Sequence, residues 1–418
     1  MNNRLQKIIL FKPKWQGEMF LFWYGFFMAF PLIVPFFNIS FYIFPLLLLV
    51  FKKRYGYIFL AKNFLFIIVN LFILGVIINL FSTLLLSDFT SFKRTLRVVP
   101  NYIYWVLMVL FFYSHRNNIN IPLIARGVFY GLISSTIFFF FIRPLRLHRL
   151  IPFVNNLSQN SFAFLLICFS AISIYYIKKR YNLFWGFILF LVLAYVGFRS
   201  GSRSSSVLVF VSGSITLFLN KISLKKIALT ISIVFLAIIF IFQTTFVKKL
   251  IYNLNPRAYT LIYELENTFD NDYSFLARMV QVEKGIRIFQ KKPITGIGLN
   301  NFSDFDDVEL DGMFEGTDNL VKKINIANLS AHNSYVSILA EGGLVLAIPF
   351  FLILLFPLLK ALFSLSKLSP FNITIFISFI VMLVHLWFIS AILNVYAWFL
   401  IAIVTASVHQ NPKITNKE

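Results

Sequence analysis

The chain has 418 residues, of which 59% are hydrophobic and only 13% are charged, and its formal net charge is +22. Apolar segments of roughly 20 residues, the length of a bilayer-spanning helix, recur almost from end to end. This composition excludes a water-soluble globular protein. Because the apolar runs are continuous rather than alternating, a membrane β-barrel is excluded as well. The sequence therefore predicts an all-α polytopic membrane protein, in which the positive charge does not point to nucleic acid as a partner.

Apolar runs separated by polar breaks predict about twelve transmembrane helices. The predicted spans are residues 20–36, 38–51, 64–86, 99–113, 121–142, 160–177, 182–198, 204–220, 227–245, 333–359, 372–390 and 393–409. The second and fourth are short for a bilayer, so we expect them to be tilted, broken or re-entrant. The chain thus divides into helices 1–9 (residues 1–245), one large loop (246–332), and helices 10–12 with a tail (333–418).

The distribution of lysine and arginine predicts the membrane orientation. Basic runs such as Lys52-Lys53-Arg54 and Lys178-Lys179-Arg180 fall in one set of loops, whereas the large loop carries twelve of the sixteen acidic residues. Because positively charged loops stay on the cytoplasmic side, both termini are predicted to be cytoplasmic and the large loop periplasmic or extracellular.

Three basic clusters depart from this pattern on the predicted outer side. They are Lys93 with Arg94 and Arg97, the segment from Arg143 to Arg149, and Arg199 with Arg203. One interpretation is attraction to anionic lipid head groups. The other is a basic vestibule for an anionic, lipid-linked substrate, because guanidinium groups bind phosphate oxygens bidentately. Both interpretations stay open at this point.

The third cluster lies in the segment Arg199-Ser-Gly-Ser-Arg203, just before a predicted helix. Amide groups and the helix dipole favour an anion at such a helix start, so the segment is a candidate phosphate site. Serine residues also cap helix N-termini, and a polar turn with outward-pointing arginines is an equally good explanation.

The large loop contains a predicted amphipathic helix from Tyr273 to Lys291, with apolar residues at helical spacing. Pro293 ends this helix, and Gly296 with Gly298 predicts a turn. Arg278 on the helix is a substrate ligand, an ordinary solvated side chain, or a salt-bridge partner of Asp270 or Asp272.

Residues 304–325 are acidic and poor in apolar residues, which predicts a flexible segment. Its Asp304-Phe-Asp306-Asp307 run is similar to a metal and nucleotide-sugar motif. The acidic composition explains the run more simply, so no metal site is predicted.

His332-Asn333-Ser334-Tyr335 closes the loop directly before an apolar helix. Histidine accepts a proton near neutral pH, and Asn333 or Tyr335 would orient it or a sugar hydroxyl. Glu341 lies about 13 Å further along the helix, too far to orient His332. An acid inside a span is costly, and we interpret Glu341 as a buried polar anchor for the outer arginines rather than part of an access path.

Together these motifs resemble the O-antigen ligase and O-antigen polymerase superfamily over roughly residues 185–400. The resemblance is carried by Ser202-Arg203, Arg278, Pro293-x-x-Gly296-x-Gly298, His332-Asn333-x-Tyr335 and Glu341-x-Gly343. It implies a helical bundle of the GT-C type in the bacterial inner membrane, multi-pass, with its active site at the periplasmic or outer face. It also implies a glycosyltransferase whose donor is a glycan linked to a polyprenyl diphosphate such as undecaprenyl diphosphate, and which needs no metal or other cofactor.

Our hypothesis from these residues is an inverting transfer to an acceptor hydroxyl. His332 would be the catalytic base, Arg203, Arg278 and Arg199 would bind the substrate diphosphate, and Asn333, Tyr335 and Glu341 would have supporting roles. A polymerase of O-antigen, capsule or exopolysaccharide is the preferred activity. A ligase that attaches the glycan to lipid A core or another acceptor is the alternative.

A polysaccharide transporter or flippase is a third alternative. Such a protein would carry paired ionisable residues or broken helices near the middle of the membrane. The candidate ionisable residues are Lys62, Arg126, Glu341 and His385. They form no obvious pairs in the sequence.

Overall fold

The computed structural model describes residues 16–30, 33–34, 37–38, 40–55, 64–142, 159–200, 202–219, 244–254, 259, 263, 273–305, 331–389 and 394–410. Within these ranges the chain is helical, apart from a two-residue antiparallel pairing of β1 (Ile33–Val34) with β2 (Phe37–Asn38). The predicted all-α fold is confirmed. The ninth predicted span, residues 227–245, lies almost wholly outside the described residues, and the number of spans and the side of the large loop stay predictions.

Most helices follow the predicted apolar runs, but the first predicted span, residues 20–36, is wrong in its second half: the helix ends at Ala29, and β1 and β2 follow it. They are α1 (Gln16–Ala29), α2 (Ser40–Tyr55), α3 (Phe64–Leu86), α4 (Phe89–Ser114), α5 (Ile121–Ile137), α6 (Gln159–Arg180), α7 (Leu183–Arg199), α8 (Arg203–Phe218), α9 (Thr245–Leu254), α10 (Tyr273–Lys291), α11 (Ser334–Phe363), α12 (Pro370–Leu386) and α13 (Val395–Val408). A π-helical turn (Phe138–Ile142) extends α5, and 3₁₀ turns lie at Phe302–Asp304 and Leu365–Lys367.

Five of these helices, namely α3, α4, α5, α6 and α11, are long and apolar enough to cross a membrane. The apolar helices α1, α7, α8, α12 and α13 are shorter. Because a bilayer-spanning helix needs about 20 residues, these lengths and compositions identify a membrane protein.

Helix α4 begins well before the predicted span 99–113, at Phe89. Asp88 caps this start, because its side chain accepts a hydrogen bond from the Ser91 amide at 3.2 Å. Hydropathy alone placed the start too late, since lysine and arginine are good helix formers that hydropathy counts as breaks. The first basic cluster, with Arg94, therefore lies on a helix and not in a loop.

Helices α1 and α5 pack with their backbones in direct contact. Gly127 and Gly131 lie four residues apart on α5, and a Cβ atom at either would meet a backbone carbonyl of α1, at Phe22 and Phe26 respectively. Small residues at this spacing allow the close approach of membrane helices. The contact fixes α1 against the rest of the bundle.

Large aromatic side chains hold α3, α4, α11 and α13 together. The Trp105 and Trp398 rings stack with centroids 5.9 Å apart, and Phe72 and Phe350 each contact Trp398. Aromatic pairs of this kind add to the dispersion energy of the core. These four helices form the framework for the segment that follows α10.

Candidate functional site

Helix α11 is broken at Gly343, which has φ 59° and ψ −168°. This backbone conformation is open almost only to glycine. The break leaves amide and carbonyl groups without their usual partners in the middle of an apolar helix. In a membrane protein such groups must find partners elsewhere in the protein.

The turn that follows α10 supplies those partners. It enters beside the break and exchanges backbone hydrogen bonds with α11 in both directions. The bonds run from Leu344 N to Pro293 O (2.8 Å), Val345 N to Ile294 O (3.1 Å), Ile297 N to Ala340 O (3.1 Å) and Gly298 N to Glu341 O (3.0 Å). The predicted turn is thus confirmed, and it is hydrogen-bonded into the break of α11 rather than being a surface loop.

Gly296 and Gly298 make this close approach possible. Their φ values are 65° and 96°, in the left-handed region. A Cβ atom would meet the Glu341 backbone at Gly296 and the Thr83 hydroxyl at Gly298. Both positions therefore require glycine for space as well as for conformation.

Buried amides of the framework helices hold the turn. Asn79 of α3 donates to Thr295 O (2.7 Å) and Glu341 O (2.8 Å), and its carboxamide oxygen accepts from Leu299 N (3.1 Å). On the α4 side, the Thr95 hydroxyl donates to Leu299 O at 3.0 Å. Asn79 and Thr95 were not predicted as site residues, although Asn79, one of two asparagines within the apolar run of α3, was a visible signal.

Glu341 is buried, with 6% of its surface exposed, and its side chain faces the same turn. The carboxyl oxygen Oε1 accepts a hydrogen bond from the Phe302 amide at 3.1 Å. Buried carboxyl groups require such partners. The geometry fits a polar anchor for the turn, whereas we had considered an anchor for the outer arginines. A role of Glu341 in catalysis stays a prediction.

Helix α10 has the predicted bounds, Tyr273–Lys291, and Arg287 forms an ion pair with Glu283 at 3.2 Å on its surface. Its buried face packs against α11, where Gly285 lies against Val336 and Phe302. The turn that follows Lys291 fixes the C-terminal end of α10, and the packing on α11 fixes its buried face. Arg278 therefore lies on a helix whose position is fixed.

His332 lies directly before α11 in an unusual backbone conformation, with φ 45°. Non-glycine residues rarely adopt this conformation, and neighbouring structure must enforce it. The next residue, Asn333, caps α11, because its carboxamide oxygen accepts from the amides of Tyr335 (3.0 Å) and Val336 (3.1 Å). The helix start is therefore rigid, and the histidine is held away from the helical path.

The environment of His332 favours its neutral form. Burial, and then the positive charge of Arg278, lower the pKa of His332 below its ordinary value. A neutral imidazole has a free ring nitrogen that accepts a proton. At neutral pH the residue is thus available as a base, beside a guanidinium group that attracts anions.

Contacts with α12 complete this end of the bundle. The Tyr335 hydroxyl donates to Leu383 O at 2.8 Å, and the Ser334 hydroxyl donates to Ile389 O at 2.5 Å. The electrostatic influence of Arg278 also reaches His385 on α12. Tyr335 therefore uses its hydroxyl to join two helices, which supports positioning rather than the sugar contact that we had considered.

The predicted phosphate cradle at Arg199 and Arg203 is described only in part. Arg199 is exposed at the end of α7, and Arg203 is the first residue of α8, with its side chain outside the described atoms. Ser202 caps α8 by accepting from the Ser205 amide at 3.4 Å. Helix α8 packs against α12, which carries His385. The capping interpretation holds for Ser202, and phosphate binding by the two arginines stays a prediction.

Asp304 of the predicted acidic segment forms an ion pair with Arg94 of α4. Residues 306–330, which include Asp306 and Asp307, lie outside the described residues. Within the described ranges no group of three or more His, Cys, Asp or Glu side chains is arranged to hold a metal ion. A metal-independent reaction stays a prediction.

From its sequence position His385 is a transporter candidate only, with no sign that it belongs to this site. The end of α12, which carries His385, packs against the start of α11 through the bond from Tyr335 to Leu383 O. No local motif around His385 marks it in the sequence. The three-dimensional structure was needed to find it.

Comparison with known proteins agrees with the motifs. Residues 188–351 match a family model described as O-antigen ligase, and a search of the curated proteins gives no match. The matched segment runs from α7 into α11 and contains Arg199, Arg203, Arg278 and His332. The match covers less than half of the 418 residues, and it supports the similarity of this segment to the O-antigen ligase and polymerase superfamily.

Proposed function

We propose that the protein is an inverting glycosyltransferase that moves a glycan from a polyprenyl diphosphate to an acceptor hydroxyl. The observation that carries this proposal is the buried position of His332 within the electrostatic influence of Arg278. The histidine is held in a left-handed backbone conformation, and its pKa is lowered by burial and by the guanidinium charge. A neutral base next to a fixed cation suits a reaction that removes a proton and releases a diphosphate.

In the proposed step, the acceptor oxygen attacks the anomeric carbon of the donor. The bond from that carbon to the diphosphate oxygen breaks with its electron pair, and the hydroxyl proton passes to a ring nitrogen of His332. Arg278, together with Arg203 and Arg199, binds the diphosphate and stabilises its growing charge. Fixed hydrogen-bond donors and charges stabilise a transition state without reorganisation, so a rigid helix start is an advantage.

Supporting residues keep this geometry. Asn333 caps α11 and thereby fixes the backbone next to His332, and Tyr335 ties α11 to α12. Glu341 and the Pro293–Asn301 turn hold α10 against α11, which positions Arg278 relative to His332. These contacts favour positioning roles for Asn333, Tyr335 and Glu341.

Polymerisation of a surface polysaccharide is the preferred activity, at the periplasmic or outer face of the bacterial inner membrane. Ligation of the glycan to lipid A core or another acceptor is the second candidate, because the same chemistry serves both and the family match is described by ligation. A polymerase transfers the glycan to a lipid-linked glycan, whereas a ligase transfers it to lipid A core or another acceptor.

The described contacts give less support to a transporter. Glu341 accepts a hydrogen bond from Phe302, and Arg126 lies 5.9 Å from the ring centroids of both Phe22 and Tyr130. These local contacts account for two of the four candidate residues of an ion pathway. Lys62 lies outside the described residues.

The test is complementation of a deletion strain with wild-type protein or His332→Ala, followed by analysis of the glycan. General-base catalysis contributes about 10²- to 10⁴-fold in rate, so the variant should yield almost no transferred glycan. His409→Ala is the matched control, because His409 contacts Phe356 far along α11 from Ser334 and should keep full activity.

The glycan profile then separates the candidate functions. Short lipid-linked units without long chains indicate a missing polymerase, and long chains that stay on the carrier lipid indicate a missing ligase. Lipid-linked units trapped on the cytoplasmic face would instead favour a transporter. Normal glycan in the His332→Ala strain would refute the general-base role.

A further inference from the structure

His385 lies one residue before the end of α12 and is 3% exposed. Its imidazole ring stacks on Phe164 of α6, with centroids 5.4 Å apart and an angle of 26° between the planes. One face of the ring is therefore covered by an aromatic side chain. The edge of the ring carries both nitrogen atoms and is not part of this stacking contact.

Neither ring nitrogen of His385 has a hydrogen-bond partner among the described residues. Buried polar atoms in folded proteins almost always have one, so an unmatched pair marks a place where a partner binds. An imidazole carries at least one N–H donor in every tautomer and protonation state. The missing partner therefore includes an acceptor, such as an oxygen atom.

The surroundings identify the region where that acceptor lies. Residues on both sides of His385 contact the start of α11, through Leu383 with Tyr335 and through Ile389 with Ser334. The Trp387 and Tyr335 rings also meet, with centroids 5.6 Å apart. The end of α12, which carries His385, therefore lies against the segment that begins with His332.

The charge of Arg278 acts on His385 as well as on His332. A guanidinium group near both histidines gives the region a positive potential. An anionic oxygen ligand is the partner that this potential favours, and charge-assisted hydrogen bonds to phosphate are among the strongest in proteins.

We propose that His385 is a substrate-binding residue that donates a ring N–H to an oxygen of the diphosphate bound by Arg278. This inference rests on the proposed glycosyl transfer and adds a ligand to the donor site. His385 would hold the diphosphate from the α12 side, whereas Arg278 reaches it from α10. The transferred proton goes to His332, so the two histidines have different tasks.

The test measures binding of undecaprenyl diphosphate to purified protein in phosphatidylcholine nanodiscs, with undecaprenol as the uncharged comparison. Loss of one hydrogen bond to a charged group weakens binding by about 10- to 100-fold. His385→Phe and His385→Leu lack the N–H and should weaken binding of the diphosphate but not of undecaprenol. His385→Asn or His385→Gln restores an N–H donor and should recover part of the affinity.

His409 provides the matched control, since it also stacks on a phenylalanine, Phe356, at 4.7 Å, but its Nδ1 already lies 2.9 Å from Thr405 O. His409→Phe should bind the diphosphate like the wild type. Melting temperatures of all variants are measured first, and the better folded of the Phe and Leu variants at position 385 is used. A merely structural role of His385 would weaken both lipids equally, which would refute the inference.

Two further outcomes are decisive. Equal diphosphate binding by wild type and the His385 variant would overturn the role of His385 alone, while the proposed function would stand. Wild-type protein that does not prefer undecaprenyl diphosphate to undecaprenol would overturn both. Competition by phosphatidylglycerol as strong as by the diphosphate would show a general site for anionic lipids and would also refute the proposal.

Discussion

The turn after α10 and the start of α11 use polar groups in opposite ways. In the turn from Pro293 to Asn301, the backbone and the side chains of Asn79 and Glu341 form a connected set of hydrogen bonds. At the start of α11, His332 has a strained backbone, and the nearby His385 keeps both ring nitrogens without a partner among the described residues. The first region therefore behaves as a scaffold, and the second keeps polar groups available for a substrate.

This difference explains how an irregular segment can lie inside a membrane helix bundle. The break at Gly343 would be costly if its amides and carbonyls faced lipid. The turn supplies hydrogen-bond partners for these groups. The same bonds to α11 fix the C-terminal end of α10, the helix that carries Arg278. We expect substitutions in the turn mainly to lower the melting temperature. Substitutions at His332 and Arg278 should lower the rate of glycan transfer and leave the melting temperature nearly unchanged.

The largest expected loss of stability comes from Gly343→Ala. Alanine cannot adopt this φ and ψ without strain, and its Cβ would meet the Ile294 carbonyl. The combined cost is at least about 3 kcal/mol, which should appear as a lower melting temperature in detergent. Gly197→Ala is the control, because a Cβ there has no contact closer than 3.4 Å. Equal melting temperatures for the two variants would argue against the role of the break.

Asn79→Leu should lower the free energy of unfolding somewhat less than Gly343→Ala does. The substitution leaves Thr295 O, Glu341 O and Leu299 N without their side-chain partner in a buried place, at about 2 to 3 kcal/mol. The matched change on the same helix is Asn70→Leu, since Asn70 is exposed and donates only locally to Phe66 O. The comparison of the two melting temperatures checks the prediction, and a similar small effect for both would contradict it.

A change at Arg278 tests the site rather than the scaffold. The guanidinium charge is one cause of the lowered pKa of His332, so its removal in Arg278→Gln raises that pKa towards the ordinary value. A base with a higher pKa is protonated at higher pH, and the acidic limb of the pH profile of kcat/KM should move upwards. Arg278→Lys retains the charge and should leave the limb nearer to its wild-type position. An unchanged profile in both variants would exclude His332 as the titrating base.

The sequence predicted much of this arrangement where the signal is local. The helix Tyr273–Lys291, the turn at Gly296 and Gly298, and the position of His332 before an apolar helix follow from periodicity and from residues with special backbone preferences. The start of α4 was placed too late, because hydropathy treats helix-forming lysine and arginine as ends of a span. Asn79 and His385 were not assigned to these regions, because their partners are distant in sequence and only packing brings them together.

The smallest expected effect concerns the Arg94–Asp304 ion pair, whose side chains are about one third exposed. Exposed ion pairs contribute about 0 to 1 kcal/mol, so Asp304→Asn should change the melting temperature little. If Asp304 belongs to the scaffold and not to a metal site, the variant should also keep glycan transfer close to the wild-type rate. Chelator treatment of wild type and variant in the same assay provides the control. A variant that is inactive and regains activity with added Mn²⁺ would contradict this prediction, because an ion pair has no reason to respond to a metal, whereas a carboxylate ligand does.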